Sequence, residues 1–405
     1  MMPGIFRLKG SIKHYDWGGK NFLPSLLHVT NPASLPFAEY WLGTHPHDTC
    51  MIQLPGGEVR LLRDFMKECA SDEQGAHPIK SQLSYLIKIL DVKDMLSIQV
   101  HPSKKAAERE FARENVEGVP LGSSRRNYKD DNHKPELMVA LGDFWLLHGF
   151  KPPGQLRKIL TATPELTSLL PIFDHSGYEG LYAGVMKLSQ TEVNQMLQPL
   201  ADRIQKLYSE EKPDPAREDY WAARAAAMYS GKQGVDRGIF SIYFFNLVQL
   251  KKGEGIFQDA GLPHAYLEGQ NVEIMASSDN VLRGGLTNKH IDVNELLKHV
   301  SCEATEVKIL KGVPEGEGKK VYQTSAPDFE LHVFEINAGS SVNFRPTTTE
   351  ILLLTEGSAK AEETNNSITM GQGDPAAILF KGTDVKITAF QDTKIFRATL
   401  PGAAN

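Results

Sequence analysis

Apolar and polar positions fall into three successive textures along the chain. Over residues 1–150, short apolar runs are cut by Gly and Pro turns. MIQLP (51–55), SYLIKILDV (84–92) and LSIQVHP (96–102) read as strands. KKAAEREFARE (104–114), made of good helix formers with no breaker, predicts a helix. After KPPG (151–154) the period lengthens, in QLRKILTATPELTSLLPIF and again within 189–211. There Val193, Met196, Leu197, Leu200, Ile204 and Leu207 recur at three and four, an amphipathic helix. Ser189, with Glu192 three residues on, supplies a capping box at its start. EDYWAARAAAMYS (218–230) predicts another helix, so 151–236 reads as a helical insertion. From 239 the pattern returns to strands and turns through IFSIYFFNLVQLKKGEGIFQDAGLPHAYLEGQNVEIM. A short helix is expected at 292–299, where DVNELLKH has Asp at its start. Beyond the turn-rich KGVPEGEGKK (311–320), short strands with turns every 8–12 residues or so run to about 398, the signature of a small sandwich or barrel.

The chain has 405 residues, more than the ~50–250 of an ordinary domain, so two or three units are expected. A hydrophobic share of 41% and a charged share of 23% suit a soluble globular protein. The formal charge of −6 and the lack of a basic stripe argue against a nucleic-acid partner; RRNYK (125–129) is soon followed by Asp130 and Asp131. The N-terminal residues lack the apolar core of a signal peptide. The most apolar windows, 84–92 and 242–250, fall far short of the ~20 residues of a membrane helix, so no membrane partner is expected. Three scattered cysteines (Cys50, Cys69, Cys302) suggest no disulfide framework, and a reducing cytoplasm is the expected location.

Three constellations could carry chemistry. Ser97, Gln99 and His101 alternate in LSIQVHP and would share one face of a strand, although a solvent-facing polar edge explains them equally well. YKDDNHKPE (128–136) packs Tyr128, Asp130, Asn132, His133, Lys134 and Glu136 around one proline. A solvated loop accounts for most of these charges but not for Glu136, which opens the apolar run LMVAL and needs a cation partner there. In GLPHAYLEGQNVEIMASSDNVLRGGLTNK (261–289), His264 follows a proline. Glu273 points away from Val272 and Ile274, and Arg283 lies among glycines after the SSDN turn. Each alone could be an ordinary surface residue. Two imidazoles, a carboxylate and an amide oxygen could complete a divalent metal site from Gln99, His101, Glu136 and His264.

YKDDNHKPE, LSIQVHP and HAYLEGQNVEIMASSDNVLRGGLTNKH, with HYDWGG (14–19) and AEYWLGTHPH (38–47), closely resemble the type I mannose-6-phosphate isomerases (phosphomannose isomerases). The similarity is dense over about 1–150 and 239–300 and thinner elsewhere. Gly284 and Asn288 stand where the family more often has Ala and Pro. The resemblance implies a mainly β fold: two cupin-like (jelly-roll) β-barrels with a helical domain inserted into the first. The first barrel would span 1–150 and 237–310, the insertion 151–236, and the second barrel 311–405. It implies one zinc per chain on Gln99, His101, Glu136 and His264, and an essential Arg283. Further site residues fall on Ser97, Lys134, Tyr266, Glu273, Asp279 and Lys289, with Lys88 another candidate. The implied reaction interconverts mannose 6-phosphate and fructose 6-phosphate through a cis-enediolate, with Glu273 favoured as base and Asp279 second. Gly339, the Glu350…Gly357 spacing and GQGDPAAILF (371–380) echo the two cupin motifs. Arg345 and Thr347 replace the metal histidines there, so the second barrel is expected to hold no metal. The oligomeric state is left open by the sequence, and a monomer is compatible with such a three-part chain. An Fe(II) cupin oxygenase and a non-catalytic bicupin that binds sugar phosphates are the rival readings.

Overall fold

The computed structural model describes residues 4–402 apart from 47, 49, 73–80, 212–213, 230, 232–233, 365 and 383. His47 of AEYWLGTHPH and Ser230 at the end of an expected helix lie outside the described residues. The architecture is mostly β with a helical segment in mid-chain.

A ten-stranded sheet is organised around the long strand His264–Ala276. That strand pairs with Gln99 at its start and with Phe144–Phe150 through Glu268. Its second half lies between Tyr85–Val92 and Glu136–Ala140. These central strands are buried on both faces, so side chains alternate between two interiors. Ile87, Ile89, Leu137, Val139, Val272 and Ile274 pack toward a second sheet, against Leu331, Leu353, Ile378 and Phe396. The intervening residues, Lys88, Glu136 and Glu273 among them, face the opposite side, beside an apolar cluster of Leu90, Met138, Phe144 and Tyr266. That alternation delivers the charged residues of three strands to one cavity.

The second sheet has nine strands. Ile5–Lys9 sits in it between Ala376–Leu379 and Met51–Gln53, so the two ends of the chain are joined by backbone hydrogen bonds. A four-stranded sheet (Ser341–Phe344, Val385–Ala389, Ala359–Glu362, Ser367–Met370) covers its other face through Val342, Ile387, Phe334 and Leu352. The helices Pro153–Ala162, Leu170–Lys187, Gln190–Glu211 and Glu218–Tyr229 share one core with Leu147, Phe150, Phe245 and Ala265 of the ten-stranded sheet. No helix among the described residues is long and apolar enough to cross a membrane.

Local signals operate as expected at several ends. Glu192 Oε2 accepts from Ser189 N at 2.8 Å and from its Oγ at 2.7 Å. Asp292 caps helix Val293–His299 by accepting from Glu295 N at 3.0 Å. Two expectations need correction, and one element is new. LSIQVHP is not one strand: only Gln99–Val100 is regular, because Leu96 and Ile98 donate to Tyr266 O and Gly285 O in different segments. Residues Gly238–Phe244 form a helix rather than a strand; a run buried at every position carries no periodicity to tell the two apart. Leu62–Asp72 is a helix that the pattern did not reveal.

Candidate active site and metal centre

His101, Glu136 and His264 converge although they come from three segments. The donor atoms lie within 4.8 Å of one another, and all three residues are buried. His101 Nε2 stands 3.5 Å from Glu136 Oε1, and His264 Nε2 stands 3.3 Å from Oε2. Each imidazole is oriented by a carbonyl: His101 Nδ1–H donates to Asn280 O at 2.8 Å and His264 Nδ1–H to Leu262 O at 3.0 Å. A carbonyl accepts only, so the proton sits on Nδ1 and the Nε2 lone pair is left bare. Neither Nε2 has a hydrogen-bond partner, which is costly for a buried polar atom unless a further group completes the site. Burial, reinforced by Lys134, pushes His101 down to about 4, so its ring is neutral, as a ligand must be. Burial opposes ionisation of Glu136, yet Lys134 and His101 hold it well below the usual carboxylate range. Gln99 pairs with both His264 and Arg283 and lines the same cavity. This donor set fits a divalent cation: two bare imidazole nitrogens, one ionised carboxylate and a nearby amide.

Asp130 and Asn132 of YKDDNHKPE are knitted to the SSDN turn, while Asp131 is exposed. Asp130 accepts from Ser278 Oγ at 2.7 Å and Asp279 N at 2.8 Å, while Asn280 Nδ2 donates to Asp130 O and Asn132 O, both at 2.8 Å. This knit fixes the SSDN turn, whose last carbonyl aims His101. Tyr128 points elsewhere, to Glu295 at 2.7 Å. His133 reaches Asp328 at 2.7 Å.

The metal centre forms one wall of a cleft of about 640 Å³. Ser97, Gln99, Lys134, Glu136, His264, Lys88, Tyr266, Glu273, Asp279, Arg283 and Lys289 all line it, with His101 buried beneath. Glu273, on the strand face opposite Val272 and Ile274, accepts from Lys88 Nζ at 2.9 Å and from Tyr266 Oη at 2.8 Å. Burial lowers Lys88, but the carboxylates of Glu273, Glu39 and Glu136 outweigh it and raise it overall. Asp279 faces His45, with Nε2 to Oδ1 at 3.3 Å. The Arg283 guanidinium meets no carboxylate among the described residues; burial alone pulls its pKa down. Beside it, burial and Arg283 lower Lys289.

Sequence reasoning assigned no role to several lining residues. Glu39 and Trp41 are two apart on strand Glu39–Gly43 and so share a face, a spacing that could have marked them. Trp41 donates to Glu39, and Lys88 stands 5.1 Å from its ring centre. Trp17 of HYDWGG and Tyr229 of the helical segment also line the cleft, and no local pattern distinguishes them.

Known proteins resemble this chain over nearly its whole length. Residues 5–153 match the family model for the phosphomannose isomerase type I catalytic domain. The mannose-6-phosphate isomerase of Escherichia coli K12 is 32% identical over 388 residues, 94% of this chain and 96% of that protein. The human mannose-6-phosphate isomerase is 30% identical, over 98% of both chains. The crystal structure of the Salmonella typhimurium enzyme bound to fructose 6-phosphate and zinc superposes with a TM-score of 0.83, at 28% identity. The match covers 98% of this chain and 99% of that one. A zinc-bound mannose 6-phosphate isomerase gives 0.84 at 29% identity over the same shares.

Proposed function

This chain belongs to the type I phosphomannose isomerases, and from that premise we propose how its cleft interconverts mannose 6-phosphate and fructose 6-phosphate. The observation that carries the reading is the pair of bare, buried Nε2 atoms aimed at Glu136. Gln99, His101, Glu136 and His264 hold one zinc ion. When bound, it supplies Lewis-acid polarisation of substrate oxygens.

The rest of the chemistry belongs to side chains. Glu273 removes the proton at C2 and returns it at C1, and in the cis-enediolate between the two steps the hydroxyl proton passes from O2 to O1. Tyr266 and Lys88 fix its carboxylate toward the cleft. Lys134 is committed to Glu136 and keeps that ligand ionised. Arg283, which meets no carboxylate among the described residues, and Lys289 beside it receive the anionic substrate, Arg283 through its rigid fork of donors. Asp279, held by His45, and Ser97 contact the sugar hydroxyls.

We read the β architecture as two cupin-like barrels, 1–150 with 237–310 and 311–405, the first interrupted by the insertion 151–236. The second is metal-free: its Glu350 is taken by Arg397 at 2.6 and 2.8 Å. A cytoplasmic location suits the three free cysteines. The test is a coupled assay for fructose 6-phosphate formed from mannose 6-phosphate. Activity should be lost with chelator and restored by zinc; activity indifferent to exhaustive metal removal would overturn the reading.

A further inference from the structure

The helical segment reaches the cleft at two points. Tyr229, the last residue of helix Glu218–Tyr229, lines the cleft and donates to Met95 O at 2.6 Å. Further along, Asp236 meets the loop 284–289 from behind. Its Oδ1 accepts from Gly238 N at 2.7 Å and Leu286 N at 2.8 Å, and its Oδ2 accepts from Thr287 N at 3.3 Å.

The loop it grips does not hold its shape by itself. Leu286 has φ +53° and Gly285 φ +128°, a conformation that a leucine resists. A Cβ on Gly285 would lie 2.4 Å from Gly238 Cα, and one on Gly238 would lie 2.6 Å from Leu286 N. Two glycines therefore let the backbones touch, and that contact brings the carboxylate within reach of the loop's N–H groups. On its other side the loop is tied to Ile98, through Gly284 N to Ile98 O and Ile98 N to Gly285 O, both at 3.0 Å. Leu286, Thr287, Asn288 and Lys289 all line the cleft, next to Arg283, whereas Asp236 does not.

We propose that Asp236 is a positioning residue, a clasp by which the helical segment fixes the loop so that Arg283 and Lys289 stand where the substrate's phosphate docks. The inference rests on the reading of those two cations as the phosphate contacts. It gives the helical segment a task in the reaction without contact between Asp236 and substrate.

Steady-state kinetics of the zinc-loaded enzyme on mannose 6-phosphate test it, with zinc content and Tm measured in parallel. Asp236→Ala should raise KM about tenfold while kcat stays within about threefold, as expected when only binding is lost. Asp236→Asn keeps an oxygen for Leu286 and should recover most of that loss, to within about threefold of the parent. In Asp236→Ala/Lys289→Ala the KM effects should not add, because one acts through the other. A raised KM in Lys289→Ala beside an unchanged KM in Asp236→Ala overturns the clasp alone, as does a fall in Tm and kcat with KM unmoved. An unchanged KM in Lys289→Ala brings down the phosphate reading first and the clasp with it. Should Asp236→Ala not fold, Asp236→Asn carries the test, and a KM equal to that of the parent overturns the inference.

Discussion

Glu273→Gln isolates the proton-transfer step. The substitution keeps the outline of the side chain and removes the basic oxygen. In the structure that carboxylate is 3% exposed, with Lys88 Nζ at 2.9 Å and Tyr266 Oη at 2.8 Å. Glutamine still offers one acceptor, but the charge-assisted bond from a buried ammonium becomes a bond to a neutral amide. That change costs stability of about 1.5–3 kcal/mol, a fall of a few degrees in Tm for a chain of this size. Loss of a positioned general base costs about 10²–10⁴ in rate, or about 2.7–5.5 kcal/mol at ~1.36 kcal/mol per decade. A modest fall in stability leaves the protein folded at assay temperature, so the rate effect can be read by itself. The assay is fructose 6-phosphate formation by coupled spectrophotometry, beside zinc content and loss of deuterium from C2 of labelled substrate. Expected are a kcat down by at least two decades, full zinc occupancy and slowed exchange. A kcat within a few-fold of the parent, on zinc-loaded protein, refutes Glu273 as base. The other role open to Glu273, holding Arg283 in place, finds no support in its contacts, which are Lys88 and Tyr266.

Glu136→Ala and His264→Ala each remove one of three converging donors and should lower zinc content from about one per chain to a small fraction, since even changes behind the ligands cost about 10–100-fold in affinity. Full metal retention in both would break up the ligand set. Arg283→Ala should raise KM about 10–100-fold with zinc retained, by loss of a charged contact to the phosphate; loss of zinc instead would make Arg283 structural. Gly284→Ala places a Cβ 2.7 Å from Tyr182 Oη and 3.0 Å from Ile98 Cγ2, an overpacking worth about 1–3 kcal/mol by thermal denaturation. Tyr182→Phe in the same chain should recover most of that loss, and a double variant no more stable than Gly284→Ala alone would disprove the clash.

The candidate site was legible in the sequence where residue type and strand period coincide. Glu273 had to face away from Val272 and Ile274, and the structure puts those two in the apolar layer between sheets and Glu273 in the cleft. Glu136 at the start of an apolar run demanded a cation, and Lys134 is there. Legibility failed where partners come from distant segments. Nothing in LSIQVHP announces that Ile98 will bond to the loop at Gly285, which breaks the strand and leaves only two regular residues. The run at 238–244 is buried at every position, Ser241 included, so its helical period is erased. Asp236 carried no signal, because its importance lies in three backbone N–H groups that no sequence pattern records.

The charges lining the cleft explain why so many ionised groups coexist there. With the exposed Asp16 set aside, four carboxylates (Glu39, Glu136, Glu273, Asp279) face four cations (Lys88, Lys134, Arg283, Lys289). The protein lining is thus close to neutral by itself, and most of its carboxylates are engaged: Glu136 with Lys134, Glu273 with Lys88, Asp279 with His45. A divalent ion on the two imidazoles and Glu136 adds two positive charges that the lining does not balance. A sugar phosphate carries close to two negative charges at neutral pH. On the proposed reading substrate and metal complete each other electrostatically: the ion would make the cleft attractive to a phosphate dianion, and Arg283 and Lys289 would give that dianion a place to dock. An unphosphorylated sugar leaves the surplus uncompensated in a partly dehydrated cavity, where charge imbalance costs most. On that reading, selectivity for the phosphorylated sugar is expected from the balance of the whole cleft more than from any single contact, and comparing kcat/KM for mannose and mannose 6-phosphate checks it.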